Sequence, residues 1–471
     1  MTQLQAVDEH TELPKKQEKQ RFLLPDGLQE HNNYGGGFVS DQDRVALQSL
    51  IYASPNSAGA RSGDKAGTAG AAVRRGTSRR CSVENNSDAY MPLPRFALRS
   101  GGRETIFFNP KDANIAIVTC GGLCPGLNDV VRSIVHKALD YGVPENQILG
   151  IRYGFRGFYS KEHRPMVLTR RAVDDIHLDG GTMLGTSRGG ADVREIVKRL
   201  DLWKIDMLFV VGGNGGNAGA AAIQRECERC RVTTAVVAVP KSIDNDILLI
   251  DRCFGFDTAV EEAQKALMAA KVEASSAYRG IGIVKLMGRQ SGFITVQAAL
   301  ASGVVDACLI PEVHFELHGE RGLLAYVESI LAKKGHAVVC VAEGAGQDIL
   351  NGQGGPDAVD ASGNPILKDV GTWLKSQFKA HFKDADIKYI DPSYLIRSIP
   401  ATSSDRILCK MLAHGAVHGA FAGYTGVTVG LMNTHYCYLP INVIIQAPRK
   451  VDPDGELWNR LRASIGQPNF F

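Results

Sequence analysis

Asp244 and Asp246 stand two residues apart in the run Pro240-Lys241-Ser242-Ile243-Asp244-Asn245-Asp246. A carboxylate in such a run can take a proton from a reacting hydroxyl, hold a divalent cation, or do both. Ser242 places a hydroxyl two residues before the first acid. Arg289, in Met287-Gly288-Arg289, directly follows the apolar run Ile281–Leu286. A guanidinium there suits ligand contact better than packing. Glu343 ends the apolar run Ala337–Ala342 in the same way. Arg188 sits in the small-residue loop Leu184-Gly185-Thr186-Ser187-Arg188-Gly189-Gly190. It can bond a phosphate through two N–H groups, or it can simply decorate a turn.

Two glycine-rich stretches, Gly121-Gly122-Leu123-Cys124-Pro125-Gly126 and Gly212-Gly213-Asn214-Gly215-Gly216, complete the set. The first is followed by Leu127 and Asn128, not Lys and Ser or Thr, so it is not a Walker A loop. The second lacks the register of a dinucleotide fingerprint. Either alone is as readily a tight turn. Two of them beside paired acids favour phosphate binding. Cys227-Glu-Arg-Cys230 resembles a redox pair, but it falls within an amphipathic helical pattern and no second pair completes a zinc site, so it reads as structural. Cys120 and Cys124 flank the first glycine loop, where oxidation would block a ligand. His314-Phe-Glu-Leu-His318 is not H-E-x-x-H and reads as non-metal.

The elements that must carry these residues are legible. Thr234–Val239 reads as a buried parallel strand, and ligands in open α/β sheets bind beyond the carboxyl ends of such strands. Ile115–Val118, Ile205–Val211, Ile281–Leu286, Val304–Ile310 and Ala337–Ala342 are further strand candidates. Leu127, Val130, Val131, Ile134, Val135, Ala138 and Leu139 share one helical face. A small-residue helix is expected from Ala218, and another through Ala259, Ala263, Ala266, Leu267 and Ala270. Strands alternating with helices give an α/β fold with a parallel sheet. Both strand–glycine–helix units aim backbone amides and a helix N-terminus at one place, which suits an anion.

Composition sets the bounds. A chain of 471 residues allows two to four domains, and 44% hydrophobic content suits a real core. A net charge of +3 gives no argument for nucleic acid or membrane, and no apolar stretch reaches the ~18 residues of a membrane span. The 10 cysteines are scattered and read as reduced thiols. The polar, acid-bearing first twenty residues resemble neither a signal peptide nor a transit peptide, which favours the cytoplasm. Residues 54–87, with the basic run Arg74–Arg80, read as a mobile insertion or linker, with a phosphorylation or docking site as the functional alternative.

The order and spacing of six motifs resemble the phosphofructokinases over about Asp112 to Val443. They are Gly121–Gly126, Leu184–Arg188, Gly212–Gly215, Pro240–Asp246, Lys285–Arg289 and Tyr394–Arg397. Gly282–Arg289, Val341–Gln347, His414–Gly423 and the ending Gly466-Gln-Pro-Asn-Phe look like the plastid-associated branch of the plant and algal ATP-dependent enzymes. That branch pulls localisation toward the plastid stroma. The resemblance implies two Rossmann-like three-layer domains with parallel-rich sheets and an active site in the cleft between them. An N-terminal extension would span 1–100, and a nucleotide-binding domain 101–255, completed by about 399–435. A sugar-phosphate domain would span 256–398 and a C-terminal segment 436–471.

The resemblance further implies an allosteric homotetramer of glycolysis. With Mg²⁺ it would transfer the γ-phosphoryl of ATP to the 1-hydroxyl of fructose 6-phosphate, giving fructose 1,6-bisphosphate and ADP. By motif match Asp244 is the general base, Ser242 contacts the sugar or the transferred group, Asp246 assists at the metal, and Arg289 joins the catalytic set. Gly121, Arg188, Gly189, Gly213, Asn214, Gly215 and Gly216 lie along the nucleotide. Ile243, Met287, Gly288, Arg289, Glu343, Tyr394, Leu395, Ile396 and Arg397 lie along the sugar phosphate, with Arg397 on its 6-phosphate. Three positions depart from the family's pattern. Asn214 stands where an Asp usually ligates Mg²⁺, and Gly216 where Ser or Thr is common. The donor signals are mixed: Gly215 leaves room for the α-phosphate of ATP, whereas Lys241 is the pyrophosphate-type residue. The alternatives are a pyrophosphate-dependent enzyme and a non-catalytic regulatory subunit. Gly280 occupies the position of an arginine that many bacterial members lend to a neighbouring subunit, with Arg279 beside it.

Overall fold

The computed structural model describes residues 15–16, 22–23, 38–47, 94–351 and 366–470. The linker expected over 54–87, with its basic run, lies outside the described residues. In chain order the strands that matter are β1 (Arg44–Ala46), β2 (Phe96–Arg99), β3 (Ile115–Thr119), β4 (Ile148–Ile151), β5 (Met166–Val167), β6 (Met207–Gly212), β7 (Ala235–Pro240), β8 (Gly280–Leu286), β9 (Ala307–Leu309), β10 (His336–Ala342), β11 (Ile387–Ile390), β12 (Val427–Met432) and β13 (His435–Pro440). The helices are α1 (Leu127–Tyr141), α2 (Val193–Leu202), α3 (Asn214–Cys230), α4 (Phe256–Ser276), α5 (Phe293–Ser302), α6 (Leu323–Lys334), α7 (Val370–His381), α8 (Ser393–Arg397), α9 (Ser403–Phe421), α10 (Ile441–Ile444) and α11 (Glu456–Ile465).

Among the described residues, the larger sheet has nine strands in the order β1-β2-β13-β12-β7-β6-β3-β4-β5. Its centre, from β12 to β4, is parallel, and both edges turn antiparallel. The expected strands are present because they are buried on both faces, which makes them continuous apolar runs. Ile115 and Ile117 pack in one core with α1 and α9, while Ala116 and Val118 pack in another with α2 and α3. Ile115, Ile117 and Val118 each contribute roughly 1.5–3 kcal/mol on burial. The result is a three-layer α/β unit. Residues before 101 supply β1 and β2 to this sheet, and residues after 435 supply β13.

The second unit is a four-stranded, all-parallel sheet ordered β9-β10-β8-β11. It too is layered: Val284 and Leu286 face α4, α5 and α11, while Ile281 and Ile283 face α6 and α7. Thr258 of α4 ties this unit to the larger one. Its backbone N–H and hydroxyl both donate to Asp405 of α9, at 2.8 and 2.6 Å. No helix among the described residues is long and apolar enough to cross a membrane.

One helix boundary departs from expectation. α3 begins at Asn214, four residues before Ala218, with Gly213 as its N-cap. Glycines signal a loop because each costs about 1 kcal/mol inside a helix. Here the chain wraps at once: a Cβ on Gly212 would lie 2.9 Å from the Cα of Gly216. The glycine loop is therefore the first turn of the helix, with its orphan backbone N–H groups uncovered by side chains.

Candidate active site

The carboxyl ends of β3, β6, β7, β8 and β10 open onto one cleft of about 490 Å³. Gly121, Arg188, Gly189, Gly213, Asn214, Gly215, Gly216, Lys241, Ser242, Ile243, Asp244, Asp246, Met287, Arg289, Glu343 and Arg397 all line it. Residues from both sheets thus meet around the paired acids.

The loop after β7 is held from several sides. Asn245, between the two acids, is buried with φ 55°. Its side chain donates to Asp251 O at 3.1 Å and accepts the Cys253 N–H at 2.7 Å, which offsets the cost of the left-handed backbone. The Arg449 N–H donates to Asp246 O at 2.7 Å, and the Ser291 hydroxyl to Asp244 O at 3.3 Å. Asp246 accepts the Ser242 hydroxyl and, at 3.1 Å, the amide of Asn214. The Lys241 ammonium donates to Gly122 O at 2.9 Å, which locks the first glycine loop to the acid loop.

Asp244 differs from Asp246. Its Oδ1 is buried without a partner. Burial, the Asp246 charge and Glu343 push its carboxyl well above the usual range, against the pull of Lys241 and Arg289. Burial also raises Asp246, but Ser242, Lys241 and Asn214 oppose it. Glu343 is raised by burial and opposed by Arg289. The site therefore holds one poorly compensated carboxylate suited to taking a proton, and one that is hydrogen-bonded and oriented.

The donor set also fits a hard divalent cation. The buried Asn214 Oδ1 lacks a partner beside Asp246. No group of three or more His, Cys, Asp or Glu residues among those described forms a cage. That suits a Mg²⁺ held by one or two protein oxygens together with waters and substrate phosphates.

Some expected residues lie elsewhere. Of Tyr394–Arg397, only Arg397 lines the cleft. Tyr394 and Leu395 are 73% and 74% exposed, and Ile396 is buried in the core. The one-turn helix α8 rotates them away, and the Tyr394 ring backs the Arg397 guanidinium at 4.6 Å. Gly288 is a backbone support: its φ is 129°, and its carbonyl accepts the Gly344 N–H at 3.1 Å. Cys120 does line the cleft and Cys124 does not; both are largely buried, and burial pushes the Cys120 thiol up to about 12 and raises Cys124 as well. Neither is the exposed, low-pKa thiol that reacts readily. Gly280 admits no side chain, since a Cβ would meet Ala274 O at 2.1 Å, and Arg279 is paired with Glu328 and Asp384.

Other cleft residues escaped sequence reasoning. Phe155 follows β4, a strand not anticipated, and Gln290 directly follows Arg289. Ile445, Gln446, Ala447 and Pro448 form a wall beyond α10. They follow no strand end and carry no motif, so only the fold brings them to Asp246.

The phosphofructokinase family model matches residues 114–420. The chain is 51% identical over 438 residues to the chloroplastic ATP-dependent 6-phosphofructokinase 5 of Arabidopsis thaliana, covering 92% of this chain and 76% of that protein. It is 49% identical over 376 residues to ATP-dependent 6-phosphofructokinase 7 of the same plant, covering 79% and 77%. A similar solved structure is the pyrophosphate-dependent phosphofructokinase of Marinobacter aquaeolei. It has a TM-score of 0.62 at 19% identity and covers 75% of this chain and 91% of that one.

Proposed function

Because the chain belongs to the phosphofructokinase family, we propose that it transfers the γ-phosphoryl of ATP to the 1-hydroxyl of fructose 6-phosphate. The products are fructose 1,6-bisphosphate and ADP. The observation that carries this reading is Asp244: a half-buried carboxylate whose buried Oδ1 has no partner, in a cleft also lined by Lys241, Arg289 and the N-terminus of α3. Phosphoryl transfer is mostly positioning and electrostatic stabilisation, with one base to free the nucleophile.

In this mechanism the nucleotide phosphates lie on the backbone N–H groups of α3 and the Gly121 loop, with Arg188 alongside. The sugar 6-phosphate lies on Arg397, and Arg289 and Glu343 orient the sugar. Asp244 takes the proton of the 1-hydroxyl as its oxygen attacks. Ser242, tied to Asp246, and Arg289 stabilise charge on the group in flight. Asp246 and Asn214 are the residues that would hold Mg²⁺, which would supply neutralisation of the phosphate charge.

The test is turnover by the pure protein with fructose 6-phosphate, comparing ATP with pyrophosphate across a Mg²⁺ titration. We expect ATP to be the productive donor. No turnover with ATP would sink the reading. Lys241 argues little for pyrophosphate here, because its ammonium already donates to Gly122 O.

Asn214→Asp should lower the Mg²⁺ concentration for half-maximal rate by about tenfold, since it adds a charge to a site with one ligating carboxylate. Without metal the same variant should lose thermal stability, because two carboxylates would stand where an amide now donates at 3.1 Å. A titration curve unchanged from the parent would count against Asn214 as a ligand.

The homotetramer implied by the family is part of this reading, checked by light scattering. Similarity to a chloroplastic relative favours the plastid stroma over the cytosol, checked by imaging a fluorescent fusion of the full precursor.

A further inference from the structure

We propose that Lys285, which is not among the residues lining the cleft, is a positioning residue that fixes Arg289, Glu343 and Arg397 relative to one another; this rests on the functional reading above. Lys285 is the penultimate residue of β8, four before Arg289. Its side chain is only 14% exposed, and its ammonium lies 2.8 Å from Asp391 and 3.3 Å from Asp369. A lysine with no other duty would turn to solvent, because holding a half-buried ammonium needs partners. Burial works against its charge, yet Asp391, Tyr389 and Asp369 more than offset this and hold the ammonium above its ordinary pKa.

Each partner has a second task. Asp391 accepts the Ser393 N–H at 3.1 Å and its hydroxyl at 2.6 Å, fixing the turn into α8, the one-turn helix that ends on Arg397. Asp369 is the N-cap of α7 and accepts the N–H groups of Gly371 and Thr372. Just before it, Lys368 exchanges backbone hydrogen bonds with the Gln347 amide, which also donates to Glu343 O at 3.0 Å. Four segments, carrying Arg289, Glu343, Asp369 and Arg397, therefore converge around one ammonium.

Without that cation, Asp369 and Asp391 face each other uncompensated, and the least anchored element is the short α8. A displacement of about 1 Å in a positioning group can cost about 100-fold in rate. The nucleotide side, built on the larger sheet, shares none of these contacts. The signature is therefore selective for the sugar phosphate.

Lys285→Met, Lys285→Arg and Asp391→Asn in the full chain test this. For Lys285→Met we expect the KM for fructose 6-phosphate, and its calorimetric Kd measured without nucleotide, to rise about tenfold or more, the scale of one lost charge-assisted contact. The KM for ATP should stay within about twofold, and Lys285→Arg should recover most of the loss. An unchanged sugar-phosphate Kd, or a parallel rise in both KM values, overturns the proposal. If the Met variant does not fold, Asp391→Asn is read on the same scale: a selective rise in the sugar-phosphate Kd supports the proposal, and an unchanged Kd overturns it. Absent turnover by the parent enzyme would instead sink the functional reading, while the calorimetric Kd still judges Lys285.

Discussion

Asp244→Asn should lower kcat by about 10²–10⁴-fold while leaving both KM values within a few-fold. The amide keeps the size of the carboxylate and most of its contacts. The backbone carbonyl of residue 244 still accepts the Ser291 hydroxyl, and the neighbouring Asn245 still pins the loop. Substrates therefore bind; only the proton acceptor is gone. Folding should not suffer, because Asp244 is half-buried with a buried oxygen that has no partner, and a neutral side chain removes the cost of that charge. Steady-state kinetics and thermal melting of the parent and variant check this together. A kcat within tenfold of the parent, in a variant that melts normally, would remove Asp244 as the base.

Gly215→Asp should lower kcat/KM for ATP by at least about 100-fold, the equivalent of roughly 3 kcal/mol. Gly215 lies in the first turn of α3, and a Cβ added there meets nothing within 4 Å. An aspartate thus enters without displacing its surroundings, and an acid at a helix N-terminus is mildly stabilising, by about 0.3–1 kcal/mol. The fold survives, so the loss reads out at the site. The carboxylate would stand among the backbone N–H groups proposed to receive the donor phosphates, repelling them at short range. Gly215→Asn, of the same size without charge, should lose far less. Equal losses in the two variants would mean that bulk, not charge, governs this position. Pyrophosphate, which has no α-phosphate and nucleoside to accommodate, should be affected less than ATP.

What could be read from the chain follows from local physics. β3, β6, β7, β8 and β10 are buried on both faces, so their apolar runs stand out, and the residues just past their ends fall on the cleft. The acids, Arg289 and Glu343 were legible for that reason. The start of α3 was not, because four helical residues that include two glycines look like a loop until their backbone is seen to wrap. The family motif at Tyr394–Arg397 reads as four equivalent contacts, but a helix only one turn long sends each side chain a different way. Ile445–Pro448 was invisible because its place depends on the distant pairing of β12 with β7, Val237 against Val427, to which the hairpin partner β13 is attached.

Those same pairings impose an order on biosynthesis. The second unit's strands, 280–390, are complete before the ribosome has made β12, which pairs with β7, and β13, which joins β12 to β2 in the larger sheet. The smaller unit's core is still incomplete at that point, because Trp458 and Leu461 of α11 and then Phe470 pack in it. The loop bearing Asp244 and Asp246 then waits for residue 449, whose N–H holds Asp246 in place. A nascent chain carries the acids from residue 246 until residue 449 is made without a finished site. Competence for phosphoryl transfer waits for residue 449.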